Sequence, residues 1–522
     1  MSVTPAAFGL KDQQDQLVSF PGSRPSVICF VKEDCPTCRL VIPVLAELSE
    51  AFTEHVEFHV IGQDQAGNET LVSEFAPPFP LLDDSGLRVS YQSDVETVPT
   101  VVLTDKDGNP LSELIGFVRE DWQAFSEHLK DQFDPQASLP DWSALPDWRP
   151  GCGSLSVDPL HADRLRAEAE NSPIRARRIA LGSQDDEFEF MFDQGFSDGL
   201  PIIPPTPERV LRMLDGTRRD PQEVLGLMAP DLAKVTVEKV AINSVLAGCK
   251  PEYLPVVIAA VEAVVTDDFN IHGVMATTMG ASPVMVVNGP IRHEIGMNMG
   301  LGSLGQGNRA NATIGRALRL VIRNVGGARP GGTERSTFAN PMKYTMCFAE
   351  WEERSCWPSL HEERGFDKED SVVTLFAMSG GPTLIINETT TEAEHLAGTI
   401  GEATSGMLNS KAYGFSNCLM VVSPEHAEVF KRDNFSRAQV RRQMQVASEK
   451  TVAQLASGPG ASPEQRALLA KMEPDTRISK FGSDEDIDLV VAGSEAGKCT
   501  AFFHGWIPRS IGSIPVSRKI DP

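Results

Sequence analysis

The sequence is short of cysteine, of basic side chains and of long apolar runs. Its 522 residues include 9 cysteines, an odd number and too few for a disulfide scaffold, which favours thiols in a reducing compartment. Lys and Arg number 47 against 72 Asp and Glu, so the net charge of −25 argues against nucleic acid or an anionic membrane as a partner. No stretch reaches the ~18 uncharged apolar residues of a membrane span.

The first residues also lack the features of a secretion signal. Residues 1–16 carry acidic and amide side chains where a signal peptide has a basic stretch followed by an apolar one. This pattern predicts that the protein is not exported and acts in the cytoplasm. At about 100 to 200 residues per domain, the chain length predicts two to four domains, each large enough to bury a core.

Charge is unevenly distributed along the chain. Residues 1–134 carry a net charge of −15, and all the remaining residues together carry −10. The boundary falls in a segment rich in Pro and Ser that contains two Leu-Pro-Asp-Trp repeats. Because spaced prolines favour an extended backbone and tryptophans need apolar cover, this segment is interpreted as semi-rigid and lying on a domain surface. We therefore predict three parts: a first domain over 1–132, a connector over 133–184 and a large domain over 185–522.

A Cys-x-x-Cys motif follows the first strongly apolar stretch. Ser26 to Val31 has the pattern of a short strand, and Cys35-Pro36-Thr37-Cys38 then leads into a stretch with helical apolar spacing. Backbone NH groups and the dipole at the helix start stabilise a thiolate at Cys35, and Cys38, one turn on, is close enough to form a disulfide with it. A zinc site normally needs a second Cys or His pair, and the sequence has none nearby. The motif therefore predicts a redox pair and no metal.

The stretch downstream of the motif is predicted to form two strands and a closing helix. Residues 96–105 read as a loop and a strand, followed by a tight hairpin, a second strand reaching Gly116 and a closing helix over 120–132. With the dithiol motif after a strand, Pro43 inside the helix and Val98-Pro99-Thr100 at the place of a cis-proline, residues 1–132 resemble thioredoxins. The resemblance implies a thioredoxin fold, in which a mixed sheet is flanked by helices.

The same resemblance implies roles for individual residues. Cys35 would be the attacking thiol, Cys38 the resolving thiol, and Pro99 would shape the surface that a substrate disulfide touches. No bound cofactor is implied, and an external thiol or thioredoxin reductase would supply the electrons. The partners expected for the whole protein are this reductant and a small-molecule substrate. Assembly into a homo-oligomer stays open.

Two positions depart from the thioredoxin pattern. Cys29 stands where thioredoxins usually carry a buried acid, and Asp34 replaces the usual aromatic residue before the motif. Loss of the acid removes a proton acceptor for Cys38, and Asp34 together with Glu33 is expected to disfavour the Cys35 thiolate by charge repulsion. The sequence therefore predicts a slower or more specialised reductant than a general thioredoxin.

Beyond the connector, alternating strand and helix patterns predict a large α/β region of one or two lobes. Helices are predicted at residues 207–214, 237–246, 252–265, 310–324, 392–400 and 424–450. Strands are predicted at residues 284–287, 344–348, 372–377, 384–386, 419–422, 488–492 and 500–503. Phrases at 198–206 and 323–331 resemble an uncharacterised bacterial family loosely associated with small selenocysteine proteins. Over residues 190–522 this resemblance implies thiol or selenol chemistry and no particular reaction.

Cys249 is the reactive thiol predicted for the large domain. It lies in a corner between two predicted helices, where the second helix start and Lys250 would lower its pKa, against some opposition from Glu252. The alternative is a small buried residue that packs the corner. Cys152 is either a third redox-active residue or the end of a linker segment, and we interpret it as the latter. Cys347 and Cys356 lack the further ligands of a zinc site.

A glycine-rich loop precedes one of the predicted helices. Gly300, Gly302 and Gly305 spell G-x-G-x-x-G, but the nearest strand ends well before them, so a dinucleotide site is not predicted. Such a loop can still bind a carboxylate or phosphate, which makes Gly302, Gly305 and Arg309 candidate substrate-binding residues. Arg309 is the first of several arginines on one face of the following helix, and Arg316 lies further along the same face. This face is either solvated, a contact for the acidic first domain, or an anion site.

Two histidines are candidates for proton transfer. His426 lies in the first turn of a helix after a strand, and His272 lies in a loop. Strand-to-helix junctions of this kind gather ligands in α/β folds.

These features together predict a thiol-dependent oxidoreductase. The large domain would convert a small, anionic metabolite with Cys249, and the thioredoxin-like domain would reduce the resulting disulfide or sulfenate at high effective concentration. Two alternatives stay open: a redox-regulated binding protein with a noncatalytic large domain, and persulfide sulfur transfer between cysteines.

Overall fold

The computed structural model describes residues 3–179, 181–182, 186–407, 413–458 and 460–521. Contacts divide the chain into two compact units, Met1–Ala180 and Leu181–Pro522. Both are mixed α/β, as predicted. The predicted end of the connector at residues 184 and 185 lies outside the described residues, and the connector up to residue 179 packs as part of the first unit.

The first unit begins with a hairpin and continues with alternating strands and helices. Its strands are β1 (Phe8–Lys11), β2 (Leu17–Phe20), β3 (Ser26–Val31), β4 (Glu57–Gly62), β5 (Leu81–Asp83), β6 (Thr97–Val98), β7 (Thr100–Thr104), β8 (Pro110–Ile115), β9 (Phe117–Val118), β10 (Trp148–Arg149) and β11 (Cys152–Gly153). Its helices are α1 (Pro36–Phe52), α2 (Gln65–Phe75), α3 (Arg88–Gln92), α4 (Arg119–Phe133) and α5 (Pro159–Ala169).

A five-stranded mixed sheet in the order β5-β4-β3-β7-β8 forms the centre of this unit. Strand β3 is parallel to β4 and antiparallel to β7, and all of its residues are buried, as its continuous apolar run requires. Helix α1 starts directly after Cys35 with Pro36 in its first turn, where no NH partner is needed. The dithiol motif thus sits where the central strand passes into a helix.

The second unit is larger and also mixed. Its helices are α6 (Glu187–Asp193), α7 (Pro207–Leu214), α8 (Val237–Ala247), α9 (Leu254–Val264), α10 (Ile271–Ala276), α11 (Ile291–Glu294), α12 (Arg309–Asn324), α13 (Leu360–Glu363), α14 (Ala393–Ser405), α15 (Pro424–Arg432), α16 (Arg437–Ala447), α17 (Val452–Ser457) and α18 (Pro463–Leu469). Its strands are β12 (Val224–Met228), β13 (Ala233–Thr236), β14 (Ser282–Asn288), β15 (Cys347–Ala349), β16 (Val372–Ile386), β17 (Cys418–Val422), β18 (Lys450–Thr451), β19 (Arg477–Ile478), β20 (Ile487–Val491), β21 (Cys499–Gly505) and β22 (Val516–Lys519). None of the described helices is long and apolar enough to cross a membrane.

One seven-stranded sheet runs through the second unit, in the order β15-β14-β16-β21-β17-β20 with β22 also paired to β16. The sequence predicted two separate strands where β16 forms a single strand of 15 residues. Its register with β21 shifts twice, between Met378 and Gly380 and between Gly380 and Thr383. Glycine tolerates the bulged backbone that such shifts require. The two predicted strands are therefore the two halves of one bent strand.

The helix predicted over residues 424–450 is wrong as a single element. The structure ends α15 at Arg432 and starts α16 at Arg437. Asn434 between them has a φ of +48°, which no helix residue adopts. Ser436 then caps α16 through a reciprocal pair of hydrogen bonds with Gln439, which is a strong local start signal.

Candidate functional site

Cys35 and Cys38 face each other across the first turn of α1. The Cys35 sulfur accepts a hydrogen bond from the Cys38 backbone NH at 3.3 Å and lies 3.5 Å from the carbonyl oxygen of Val98. The Val98–Pro99 peptide bond is cis, at the position where the sequence placed it. Both thiols have an exposed fraction of 0%. The structure therefore brings the predicted Cys35, Cys38 and Pro99 together at one point of the first unit.

The surroundings of Cys35 favour its thiolate. The pKa of Cys35 is lowered to about 5, chiefly by a hydrogen bond from the Cys38 thiol, with further hydrogen bonds from the Cys152 thiol and the backbone NH groups of Cys38 and Thr37; burial opposes them. A thiol with this pKa is ionised at neutral pH. The predicted repulsion from the neighbouring acids is thus outweighed.

Those two acids are also partly neutralised by local ion pairs. Glu33 pairs with Arg39 at 2.7 Å, and Asp34 pairs with Lys32 at 3.3 Å. Whatever repulsion Glu33 and Asp34 exert on the Cys35 thiolate is therefore outweighed by the groups that lower the pKa of its sulfur.

Cys38 and Cys29 behave in the opposite way. Burial is the main cause that raises the pKa of Cys38, and the negative Cys35 sulfur raises it further. Cys29, where thioredoxins usually have an acid, has an exposed fraction of 0%, and burial raises its pKa as well. Cys38 therefore keeps its proton while Cys35 is charged. It loses one cause of its raised pKa when Cys35 is consumed in a mixed disulfide.

Cys152 is the residue for which the sequence analysis weighed a redox role and favoured a linker end instead. Strand β11 pairs antiparallel with β6, with Cys152 opposite Val98, and the Cys152 thiol lies close enough to Cys35 to lower the pKa of that sulfur. Burial and the Cys35 charge raise the pKa of Cys152 to about 11. The interpretation of Cys152 as a linker end is therefore wrong: it is the third thiol of the site. No local sequence signal reveals a pairing between strands so far apart in the chain.

The low pKa of Cys35 predicts the pH dependence of its alkylation. In the fully reduced chain, we expect the rate of Cys35 modification by iodoacetamide to be nearly constant from about pH 6.5 to 8.5 and to fall with a midpoint near 5, since only the thiolate reacts. Below its pKa, an unperturbed thiol would instead react about tenfold faster for each unit by which the pH rises. Peptide mapping after timed quenching measures the rate. A rate that rises through pH 8 would contradict the assignment.

In the second unit, two of the predicted features line one cavity of about 330 Å³. Gly302 and Gly305 form one wall, and Ser423, which caps α15, lies on another. Residues of a second glycine-containing stretch, from Gly493 to Gly497, also line the cavity, together with Cys499. The structure thus joins the glycine loop and the strand-to-helix junction, which lie more than a hundred residues apart in the sequence.

Cys499 is the thiol that lines this cavity. It opens β21 and is half-buried, and its pKa is raised by burial and by the nearby Glu425 carboxylate. The sequence offered one signal for it, since Gly497-Lys498-Cys499 follows a glycine-containing loop and precedes a strand. Sequence reasoning favoured Cys249 because only that cysteine lies at a helix-to-helix corner.

The predicted activation of Cys249 is wrong. Burial raises the pKa of Cys249 to about 12 in spite of the nearby Arg309 and Arg316, and its thiol donates to the Thr313 carbonyl oxygen at 3.4 Å. The neighbouring Lys250 pairs with Glu252 at 3.5 Å. Cys249 therefore corresponds to the alternative weighed for it, a small buried residue that packs the corner.

Cys249 should accordingly resist modification. In the folded chain at pH 8 we expect iodoacetamide to label Cys249 about a hundredfold more slowly than a short peptide with a free thiol, because both its burial and its pKa oppose reaction. Peptide mapping of the same time course that follows Cys35 gives the rate. Labelling at the peptide's rate would restore Cys249 as a candidate.

The Arg309 side chain hydrogen-bonds to the protein backbone. Its guanidinium Nε donates to the Gly248 carbonyl oxygen at 2.9 Å, at the end of α8, and Arg309 is not among the residues that line the cavity. Further along the same face of α12, Arg316 pairs with Asp198 at 2.8 Å and Arg319 with Glu334 at 3.4 Å. The structure therefore gives the arginine stripe partners inside the second unit, and the predicted substrate role of Arg309 has no support there.

The two candidate histidines are not brought together. His426 has an exposed fraction of 1%, with Nε2 donating to the Asn387 carbonyl oxygen at 3.1 Å and Nδ1 within 3.0 Å of the Thr500 hydroxyl. Burial lowers its pKa, so this ring is neutral with both nitrogens engaged. His272 is exposed in the first turn of α10. Neither histidine lines the cavity, so neither is placed for proton transfer there.

The central five-stranded sheet, the dithiol at a helix start and the cis Pro99 define the first unit as a thioredoxin-like domain. No family model matches the chain. The thioredoxin of Borreliella burgdorferi is 26% identical over 121 residues, which are 23% of this chain and 84% of that protein.

Two solved structures are similar to about a quarter of the chain. StoA from Bacillus subtilis covers 25% of this chain and 97% of its own, with 22% identity and a TM-score of 0.22. A secreted disulfide oxidoreductase of Mycobacterium tuberculosis covers 23% of this chain and 96% of its own, with 18% identity and a TM-score of 0.22.

Proposed function

We propose that this protein is a thiol-disulfide oxidoreductase in which the thioredoxin-like unit reduces an oxidised thiol formed on the second unit. The observation that carries this proposal is the Cys35 sulfur at the start of α1, 3.3 Å from the backbone NH of its partner Cys38 and 3.5 Å from the Val98 carbonyl oxygen before the cis-proline, and the lowered pKa of Cys35 agrees with it. A stable thiolate beside a second thiol is the arrangement that disulfide exchange needs.

The reaction proceeds through a mixed disulfide. The Cys35 thiolate attacks a sulfur of the oxidised substrate and displaces a thiolate or, from a sulfenic acid, hydroxide. Cys38 then gives up its proton and attacks the Cys35 sulfur, which releases the reduced substrate and leaves a Cys35–Cys38 disulfide. An external thiol or thioredoxin reductase returns two electrons, and no bound cofactor is needed. A reducing cytoplasm fits this cycle.

The second unit supplies the oxidised thiol in this proposal. Its cavity of about 330 Å³ has room for a small metabolite, whose anionic group would lie at the start of α15 beside Ser423. Cys499 replaces Cys249 as the reacting residue, because it is the half-buried thiol that lines this cavity. If the metabolite carries a disulfide, the Cys499 thiolate attacks one of its sulfurs, forms a mixed disulfide with that half and releases the other half as a thiol. If it carries an O–O bond, the thiolate attacks one oxygen, becomes a sulfenic acid and releases the rest as an alcohol or water, so the metabolite gains two electrons in either case.

Placement of both units on one chain supports the relay between them. A reductant that shares a chain with its acceptor works at a high effective concentration and avoids a search through solution. Disulfide exchange between Cys35 and Cys499 would then be faster than exchange with a separate protein at micromolar concentration.

Glutathione disulfide serves as a probe for this relay. The reduced full chain is mixed with glutathione disulfide, quenched by alkylation and mapped by mass spectrometry. In Cys35→Ser we expect the Cys499 thiol to keep a glutathione adduct. In the unchanged chain we expect this adduct to be at least about tenfold scarcer, as electrons pass from Cys35 and Cys38. Cys356→Ser is a matched control, since Cys356 is also half-buried but does not line the cavity.

Equal amounts of the Cys499 adduct with and without Cys35 would contradict the relay. A chain that never turns over a disulfide, and instead changes its affinity for a partner with redox state, would favour the regulated binding protein. A labelled persulfide after incubation with a sulfur donor would favour sulfur transfer.

A further inference from the structure

We infer that Cys152 is a third redox-active residue, which forms a disulfide with Cys35, and that the strap, residues 147–152, lies in the place of a substrate peptide. The inference rests on the proposed role of Cys35 as a nucleophile. It goes beyond that role because it assigns a substrate of the first unit within its own sequence.

The strap is held by backbone pairing with two short strands of the same unit. Trp148 pairs with Val118 and Arg149 with Phe117, and Cys152 then pairs with Val98, directly before the cis-proline. An extended segment that adds to a free strand edge in this way is a recurrent form of peptide binding, in which backbone hydrogen bonds give affinity.

Side chains of the site fasten the strap between these two pairings. The Thr37 hydroxyl, inside the dithiol motif, donates to the Pro150 carbonyl oxygen at 2.6 Å. Just past the strap, the Ser154 backbone NH donates to the Glu96 backbone carbonyl oxygen at 2.9 Å, and the Gln63 side-chain amide donates to the Ser154 hydroxyl at 2.7 Å. Cys152 is therefore anchored on both sides, with its thiol directed at Cys35.

The Cys152 thiol occupies the space that an incoming sulfur needs. Any sulfur that exchanges with Cys35 has to touch the Cys35 sulfur first. That sulfur has an exposed fraction of 0%. It accepts a hydrogen bond from the Cys38 NH and lies 3.5 Å from the Val98 carbonyl oxygen, and the Cys152 thiol lies beside it together with the Cys38 thiol and the Thr37 NH. A substrate disulfide therefore reaches Cys35 only after the strap has moved away.

The chemistry balances without any outside oxidant once the Cys35–Cys38 disulfide exists. The Cys152 thiol loses its proton and attacks the Cys35 sulfur. The Cys152–Cys35 bond forms, the Cys35–Cys38 bond breaks, and Cys38 leaves as a thiolate that takes up a proton. One disulfide and one thiol are replaced by another disulfide and another thiol, so the unit as a whole is neither oxidised nor reduced. The unit thus has two alternative disulfides that share Cys35.

Removal of Cys38 isolates the second disulfide. The reduced full-length Cys38→Ser variant is mixed with glutathione disulfide, quenched with acid and mapped by mass spectrometry without reduction. Cys35 first takes up glutathione and releases one glutathione thiol, and Cys152 then displaces the second. We expect the Cys35–Cys152 link to exceed the Cys35–glutathione adduct by at least about tenfold, because Cys152 is held in place. In Cys38→Ser/Cys152→Ser the glutathione adduct should persist.

Two glycines offer a test that leaves every thiol in place. A Cβ on Gly151 would lie 2.3 Å from Thr97 Cγ2 and 2.9 Å from the Val98 carbonyl oxygen, whereas a Cβ on Gly153 meets nothing within 4 Å. Gly151→Ala should therefore loosen the strap, and Gly153→Ala should not. We expect iodoacetamide to modify Cys35 about tenfold faster in Gly151→Ala than in the unchanged chain, a factor that corresponds to about 1.4 kcal/mol. Gly153→Ala should react at the unchanged rate.

The outcomes separate this inference from the proposed function. If Cys38→Ser keeps the glutathione adduct on Cys35, or if both glycine variants react at the same rate, the role of Cys152 is overturned. In that case reduction of other disulfides that depends on Cys35 can still be present. If Cys35 itself does not react with glutathione disulfide in any variant, the proposed function fails as well.

Discussion

Cys35→Ser should lower the rate at which the full chain reduces the disulfides of insulin by about a thousandfold or more. A serine hydroxyl is protonated at neutral pH, whereas the Cys35 sulfur, with a pKa of about 5, is ionised. The hydrogen bonds that favour the thiolate cannot make a nucleophile of a neutral hydroxyl. The assay follows the precipitation of insulin chains with dithiothreitol as the electron source.

The variant Cys38→Ser separates the two halves of the same reaction. It keeps the nucleophile but lacks Cys38, so that only Cys152 can still resolve the mixed disulfide within the unit. When Cys152→Ser is added and dithiothreitol is left out, we expect a single fast turnover followed by a stop. Cys356→Ser, in the second unit, should keep the unchanged rate. If Cys35→Ser retains more than about a tenth of the rate, another thiol carries the reaction and Cys35 is not the nucleophile.

Trp122→Ala should destabilise the first unit by about 3 to 5 kcal/mol. Trp122 has an exposed fraction of 0%, its ring centroid lies 5.8 Å from that of Phe117, and its indole NH donates to the Gly116 carbonyl oxygen at 3.2 Å. Truncation leaves a large cavity and removes this donor from a buried carbonyl.

Trp148→Ala is the matched control, because this tryptophan of the strap has an exposed fraction of 61%. Its loss should change stability by less than about 1 kcal/mol. Unfolding of the unit in urea is followed by the reaction of the buried Cys29 with a thiol reagent, which reports opening of the core. Equal effects of the two substitutions would show that Trp122 is not part of that core.

The first unit could be predicted well from its sequence because its signals are local. The strand at Ser26–Val31 was predicted with the bounds that the structure gives, and the closing helix was predicted within one residue at each end. Apolar runs, Pro36 in a first turn and the dithiol motif act through neighbours in the chain. The pairing of Cys35 with Cys38 follows from the same signals, whereas Pro99 was assigned to the site through the resemblance to thioredoxins.

The features that were missed depend on distant contacts. Cys152 reaches Cys35 only because β11 pairs with β6, a contact between segments more than fifty residues apart. Cys249 was expected to be acidic from its helix corner, but the packing around it decides its pKa through burial. In the second unit the cavity joins loops around Gly302, Ser423 and Gly497, and periodicity gives no order for the strands that bring them together.

Strand β16 has a consequence for how the second unit melts. Its first half pairs with β14 and β22, and its second half pairs with β21. A single backbone segment therefore connects the part of the sheet that contains β14 with the part that contains β21. Because the two halves are one continuous strand, unfolding of either half frees the adjoining end of the other, so partial melting is costly. The second unit should therefore lose its structure in one cooperative heat-absorption peak, with equal calorimetric and van't Hoff enthalpies.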